Sequence, residues 1–238
     1  MEQHTGPGWK SMNILITGNF NNFKRMVVML YSLFMQEPGE VNVYIPAVNT
    51  DDETLRYLSM YVESWQGKRL IPVYTDKNIW SMSEDNRWLS IEEIYTLCSK
   101  LDKNIQRILC LDTDIVVKKS LDELYNCNMQ GKVLAVCESF TGENILSLKD
   151  GSQFDTGIIL VNLQGLNEIS GPDELNAGNI VYMGWDQYNL IPYKYYMDRD
   201  AALQGELRFA GREEVEEQGN NLEEFQRRYI DITKQLAK

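Results

Sequence analysis

Between Arg107 and Val117 the chain reads Arg-Ile-Leu-Cys-Leu-Asp-Thr-Asp-Ile-Val-Val: an apolar run, two carboxylates one residue apart, then a second apolar run. A buried sheet does not carry two neighbouring carboxylates, because desolvating each charge costs several kcal/mol. The strand must therefore end at a cleft there, or a cation must sit between the carboxylates. In open α/β sheets, ligands bind just outside the carboxyl ends of the strands. Hard oxygen ligands at Asp112 and Asp114 suit Mg2+ or Mn2+, which also bridge a diphosphate. As a bare pattern the motif is weak. Asp198-Arg199-Asp200 repeats it in a polar segment with no strand before it, and reads as surface. A solvated turn or a helix cap is the bland alternative at Asp112 and Asp114, and the apolar flanks argue against it.

The rest of the chain supplies a sheet for that strand. Asn13 to Thr17 is a short apolar run ended by Gly18, and an Asn-rich loop follows. Phe23 to Met35 has apolar residues at helical spacing and stops before Pro38 and Gly39. Val41 to Val48 reads as a strand, Thr54 to Trp65 as a helix capped by Asp51, and Arg69 to Tyr74 as a strand. Ser90 to Leu101 reads as a helix and Arg107 to Leu111 as a strand, with extended structure resuming at Asp114 to Val117. Lys132 to Cys137 and Thr156 to Val161 read as buried strands, and Leu222 to Ala237 as an amphipathic terminal helix. Strands alternating with helices predict an α/β layer architecture with a mixed, mostly parallel central sheet flanked by helices. No repeat or linker divides the chain, so residues 1–11 read as a leader or flexible terminus and 12–238 as one domain.

Composition excludes several partners. With a net charge of −12 over 238 residues, the surface repels nucleic acid and anionic membrane. A phosphate-bearing substrate then needs a local bridge, such as a divalent metal or placed Arg and Lys. No run approaches the ~20 apolar residues of a membrane span, and the apolar stretch Met26 to Met35 has no cleavage site after it. Cys98, Cys110, Cys127 and Cys137 lack metal-type spacing and read as reduced, mostly buried thiols, which points to a cytoplasmic location.

Several motifs in order resemble glycosyltransferase family 8, which includes glycogenin and bacterial lipopolysaccharide galactosyl- and glucosyltransferases. They are Met12-Asn-Ile-Leu-Ile with its Asn-rich loop, Leu30-Tyr-Ser-Leu, Arg107 to Val117, Ser120-Leu-Asp-Glu-Leu-Tyr, Gly131-Lys-Val, Phe154-Asp-Thr-Gly-Ile-Ile-Leu-Val-Asn-Leu, and Asp186-Gln187. The resemblance runs from Met12 to about Leu190. It implies a GT-A (Rossmann-like) fold, a UDP-sugar donor carrying glucose or galactose, Mn2+ or Mg2+, and retention of anomeric configuration. By position, Asp112 and Asp114 would hold the metal, with Thr113 beside the donor. Thr17, Asn19 and Asn21 would line the base and ribose, and Arg87 would contact the diphosphate or sugar. Asp155 and Asp186 would hold donor-sugar hydroxyls. Gln187 would face the anomeric centre opposite the leaving group. The implied acceptor is a saccharide or glycolipid. Homo-oligomers are compatible with this picture, as is a peripheral station at the inner face of the membrane.

This sequence departs from the family pattern at Asn19 (often Asp), Asp155 (usually Asn) and Thr96 (often Arg). Family members also end in H-x-x-G-x-x-K-P-W, whose His is a third metal ligand and whose Lys binds phosphate. The sequence stops at Lys238 without that segment, and its one histidine is His4. Two other functions compete. A nucleotide-sugar-binding subunit with weak or no catalysis would keep the fold without the closing segment. A nucleotidyltransferase would need a basic, glycine-rich loop after the first strand, where this chain has Gly18-Asn-Phe-Asn-Asn-Phe-Lys24. Tyr193, Tyr195 and Tyr196 read as edge packing or an acceptor-stacking cluster.

Overall fold

The computed structural model describes residues 11–17, 23–47, 52–75, 89–113, 115–117, 120–137, 145–155, 157–183, 190–191 and 207–209. The expected cap at Asp51, the tyrosines after Pro192, the second D-x-D, the terminal helix over 222–237 and His4 lie outside these residues.

Along the chain come β1 (Met12–Ile16), α1 (Phe23–Gln36), β2 (Val41–Pro46), α2 (Asp52–Glu63) and β3 (Lys68–Val73). Next are α3 (Ile91–Ser99), β4 (Arg107–Leu111), β5 (Ile115–Val117), α4 (Asp122–Tyr125) and β6 (Leu134–Cys137). The last described elements are β7 (Ile145–Ser147), β8 (Gln153–Asp155), β9 (Ile158–Asn162), α5 (Leu163–Glu168), β10 (Ile180–Met183), β11 (Leu190–Ile191) and β12 (Leu207–Phe209). The seven-stranded sheet has the order β10-β6-β9-β4-β1-β2-β3. Six strands run the same way; β9 is antiparallel to both β4 and β6. The mixed, mostly parallel sheet expected from the sequence is thus present.

Each central strand is apolar on both faces because both faces are covered. Ile14, Ile16, Leu109 and Leu111 pack into one core with residues of α1, α2 and α4. Leu15, Ile108 and Cys110 point the other way, into a core with α3 and α5. The sheet grows from β1 outward through β2 to β3, and the chain then crosses to β4 on the other side of β1. That reversal is a topological switch point, and in open α/β sheets ligands bind outside the carboxyl ends of the strands at such a point.

Local sequence explains where elements start. Ser90 caps α3: its hydroxyl accepts from Glu93 N at 3.2 Å, and the Glu93 carboxylate accepts from Ser90 N at 2.7 Å. Asn162 caps α5, its side-chain oxygen accepting from Gly165 N. β5 leaves the main sheet and pairs antiparallel with β12 instead. Its anchor to the domain is Val117 N, which donates to Ser32 Oγ on α1 at 3.0 Å. The four cysteines are free, with Cys98, Cys110 and Cys137 buried.

Candidate active site

The site is assembled at the C-terminal edge of β1 and β4. Register places Ile16 opposite Leu111, so the next residues, Thr17 and Asp112, flank the switch point. Thr17 N donates to Leu111 O at 2.9 Å, which extends the ladder to the edge. Leu89 N donates to Thr17 O at 3.4 Å and brings the start of α3 beside the same strand end. Thr17 is 3% exposed, and its hydroxyl has no hydrogen-bond partner among the described residues.

Asp112 is fully buried, and Thr113 is buried beside it. The Thr113 hydroxyl donates to Asp112 Oδ1 at 3.3 Å. On the other side of β4, Gly157 holds two carboxylate residues at once. Its carbonyl accepts from Asp112 N at 3.0 Å, and its own N–H donates to Asp155 Oδ1 at 2.8 Å. Asp155 ends β8, which forms a hairpin with β7, and Gly157 opens the turn into β9. Burial pushes the Asp155 carboxyl up to about 6, with the Gly157 amide pulling modestly the other way. The Cys137 thiol at the end of β6 is also raised, mainly by burial and then by Asp155.

Thr17, Asp112, Thr113 and Asp155, singled out from the sequence, therefore converge on one edge. Asn19, Asn21, Arg87, Asp114, Asp186 and Gln187 lie outside the described residues. Sequence reasoning missed Gly157 as the bridge between Asp112 and Asp155. The Asp155-Thr156-Gly157 turn before an apolar run was its signal. Asp112 offers hard oxygen donors of the kind Mg2+ and Mn2+ take. Among the described residues no group of three or more His, Cys, Asp or Glu is arranged to hold an ion.

The sequence model of Glycosyl transferase family 8 matches residues 13–170, which contain this whole constellation. The chain belongs to glycosyltransferase family 8. A Haemophilus influenzae protein named "Putative glycosyltransferase" is 22% identical over 167 residues, covering 67% of this chain and 51% of that protein. This family 8 chain thus spans about half the length of that relative. Its fold is similar to that of the galactosyltransferase LgtC in complex with donor and acceptor sugar analogs, at TM-score 0.58 and 13% identity, covering 84% of this chain and 87% of that one. An active-site mutant of LgtC aligns at TM-score 0.61 and 11% identity over the same shares of the two chains, 84% and 87%. The glycosyltransferase GlyE of Streptococcus pneumoniae TIGR4 aligns at TM-score 0.56 and 15% identity, over 83% of this chain and 54% of its own. These likenesses establish the GT-A fold. No helix among the described residues is long and apolar enough to cross a membrane.

Proposed function

We propose that this chain is a retaining glycosyltransferase that moves glucose or galactose from a UDP-sugar to a hydroxyl of a saccharide or glycolipid. The observation that carries the reading is the Gly157 bridge, which ties the buried Asp112 at a switch-point strand end to the buried Asp155. It gives a rigid carboxylate edge where α/β sheets bind ligands. Asp112 and Asp114 would hold Mn2+ or Mg2+, which when bound supplies Lewis-acid neutralisation of the diphosphate.

The chain's own residues divide the remaining work. Thr17, Asn19 and Asn21 line the base and ribose, and the buried Thr17 hydroxyl is placed to bond a ligand. Arg87 and Thr113 orient the diphosphate. Asp155 and Asp186 hold sugar hydroxyls, so the anomeric carbon is presented in one orientation. In transfer, the bond from the anomeric carbon to the diphosphate oxygen breaks, and UDP leaves with the electron pair. The acceptor oxygen bonds that carbon on the same face, and its proton passes to the departing phosphate oxygen. Gln187 stabilises the positive centre from the opposite face.

The test is hydrolysis and transfer from UDP-glucose and UDP-galactose with Mn2+, run alongside Asp112→Asn and Asp114→Asn. Turnover that falls at least ~100-fold in both variants supports the enzyme. Donor binding with no turnover in the unaltered chain would instead identify a nucleotide-sugar-binding subunit.

A further inference from the structure

At the edge of the main sheet opposite Asp112, two cavities open on either side of Gln106. The first, about 230 Å³, is walled by Asn13, Asn42, Tyr44, Asp102 and Tyr125. The second, about 330 Å³, is walled by Arg107, Asn128, Gln130, Asn162 and Gln164. Topology puts them there. Asn13 and Asn42 are the second residues of parallel strands β1 and β2, Arg107 opens the parallel β4, and Asn162 closes the antiparallel β9, so all four lie toward one edge. The length of β4 separates this edge from Asp112, roughly 16 Å at ~3.3 Å per residue.

Part of the lining serves the fold. Tyr125 Oη accepts from Asn13 N and Nδ2, both at 3.2 Å, and donates to Arg107 O at 2.9 Å. Arg107 Nη1 donates to Tyr125 O at 2.7 Å. Asn162 is committed to the α5 cap and to Lys132 O. Left over are the side-chain amides of Gln106, Gln130 and Gln164, all three exposed to solvent, and the hydroxyl of Tyr44; none of them makes a hydrogen bond to any described residue, so all are open to a ligand from solution. Tyr44 is buried, and burial, with Tyr125 and Asp102 near, pushes its phenol up to about 12, so it stays a neutral donor. Gln130 sits at φ 52, in the left-handed region, within the turn that Lys132 N closes onto Met129 O. Glycine or asparagine would hold that position at lower cost, yet the turn presents a glutamine.

The chemistry of this lining selects a ligand class. An amide side chain offers two donors and an acceptor, which matches hydroxyls that both give and take hydrogen bonds. A phosphate ligand would need free cations. Arg107 Nη1 is bonded to backbone carbonyls, and Asp102 adds a negative charge. One volume, about 330 Å³, lies at the lower end of the ~300–1,000 Å³ of small-molecule sites and the other, about 230 Å³, falls just below it, a size suited to one small ring each. We propose that this edge is a saccharide-binding cleft, in which Gln106, Gln130, Gln164 and Tyr44 hydrogen-bond the hydroxyls of a neutral sugar chain that straddles Gln106.

The experiment is a titration of the full 15N-labelled chain with methyl α-glucoside, methyl β-galactoside, lactose and maltotriose, read on the glutamine side-chain amide signals. At least one probe should shift the signals of Gln106, Gln130 and Gln164 saturably, with a millimolar Kd. The same shifts should persist in Asp112→Asn, which separates this cleft from the transferase site. Gln106→Leu, at an exposed position, should weaken the response about tenfold, the loss of one well-made hydrogen bond. The proposal is overturned if no probe shifts these signals saturably, if Gln106→Leu binds as tightly as the unaltered chain, or if the shifts vanish in Asp112→Asn.

Discussion

Asp155 carries the clearest single-residue consequence. Its carboxyl ionises at about 6 in the fold against 3.8 in the unfolded chain, with burial as the main cause. The neutral form is favoured in the fold, so its contribution to stability is full below about pH 4 and is lost as the pH rises to about 6. Two pKa units correspond to ~3 kcal/mol at most. Asp155→Asn keeps an oxygen for the Gly157 amide and removes the charge. It should raise stability by ~1–3 kcal/mol at pH 7.5, and the gain should vanish near pH 4 in urea titrations. Thr17→Val is the complementary case. The buried hydroxyl has no described partner, so deleting it should leave the denaturation midpoint nearly unchanged. If a nucleotide uses that hydroxyl, UDP affinity measured by calorimetry should fall about tenfold. An unchanged affinity would remove Thr17 from the donor site. Asp112 was legible in the sequence because apolar residues flank it. The raised carboxyl of Asp155 was not, because its cause is burial by distant segments.

At the scale of elements, two contacts hold the site's scaffold and are open to test. The α3 cap pairs Ser90 with Glu93, and Leu89 just before it is bonded to the end of β1. Ser90→Ala should cost ~1 kcal/mol, measurable in chemical denaturation. The second contact is Ser32 Oγ, which accepts from Val117 N and itself donates to Met29 O at 2.8 Å. It fastens β5, the strand that follows Asp112 and Thr113 in the chain, to α1. Ser32→Ala should cost ~1–2 kcal/mol and should speed hydrogen exchange at the Val117 amide more than at Leu109. A uniform change across both amides would mean that this anchor is not local. Strands β1 to β4 could be read from the chain as short, mostly apolar runs, and helices α1 to α3 from their helical spacing of apolar residues. The β7–β8 hairpin, α5 and β10 are short or mixed in pattern, and they are stabilised by neighbours rather than by local preference.

For the whole molecule, charge sets the terms. A chain with net charge −12 repels itself and repels a UDP-sugar. Raising NaCl from about 10 mM to about 300 mM shortens the screening length from ~30 Å to less than 10 Å and should raise the thermal midpoint. A falling midpoint would mean that attractive ion pairs outweigh the repulsion. Glu37, just past α1, and Lys68, which opens β3, show how the fold handles buried charge. Lys68 Nζ donates to Glu37 O and Gly39 O and lies 5.7 Å from the centre of the Phe34 ring, while the Glu37 carboxylate accepts from Leu121 N. Burial raises Glu37 and lowers Lys68, so both are drawn toward neutrality.

The sequence alone determined that strands alternate with helices, that β4 runs into a carboxylate at Asp112, and that the chain carries a net charge of −12. These follow from local periodicity and from summed charge, which do not depend on where distant segments meet. Tertiary structure decided that β9 runs antiparallel beside β4, that β5 leaves the main sheet, and that Gly157 joins Asp112 to Asp155. It also brought Gln106, Gln130 and Gln164 to one edge. Strand order and register are set by side-chain packing across the whole sheet, and no short window of sequence contains both partners.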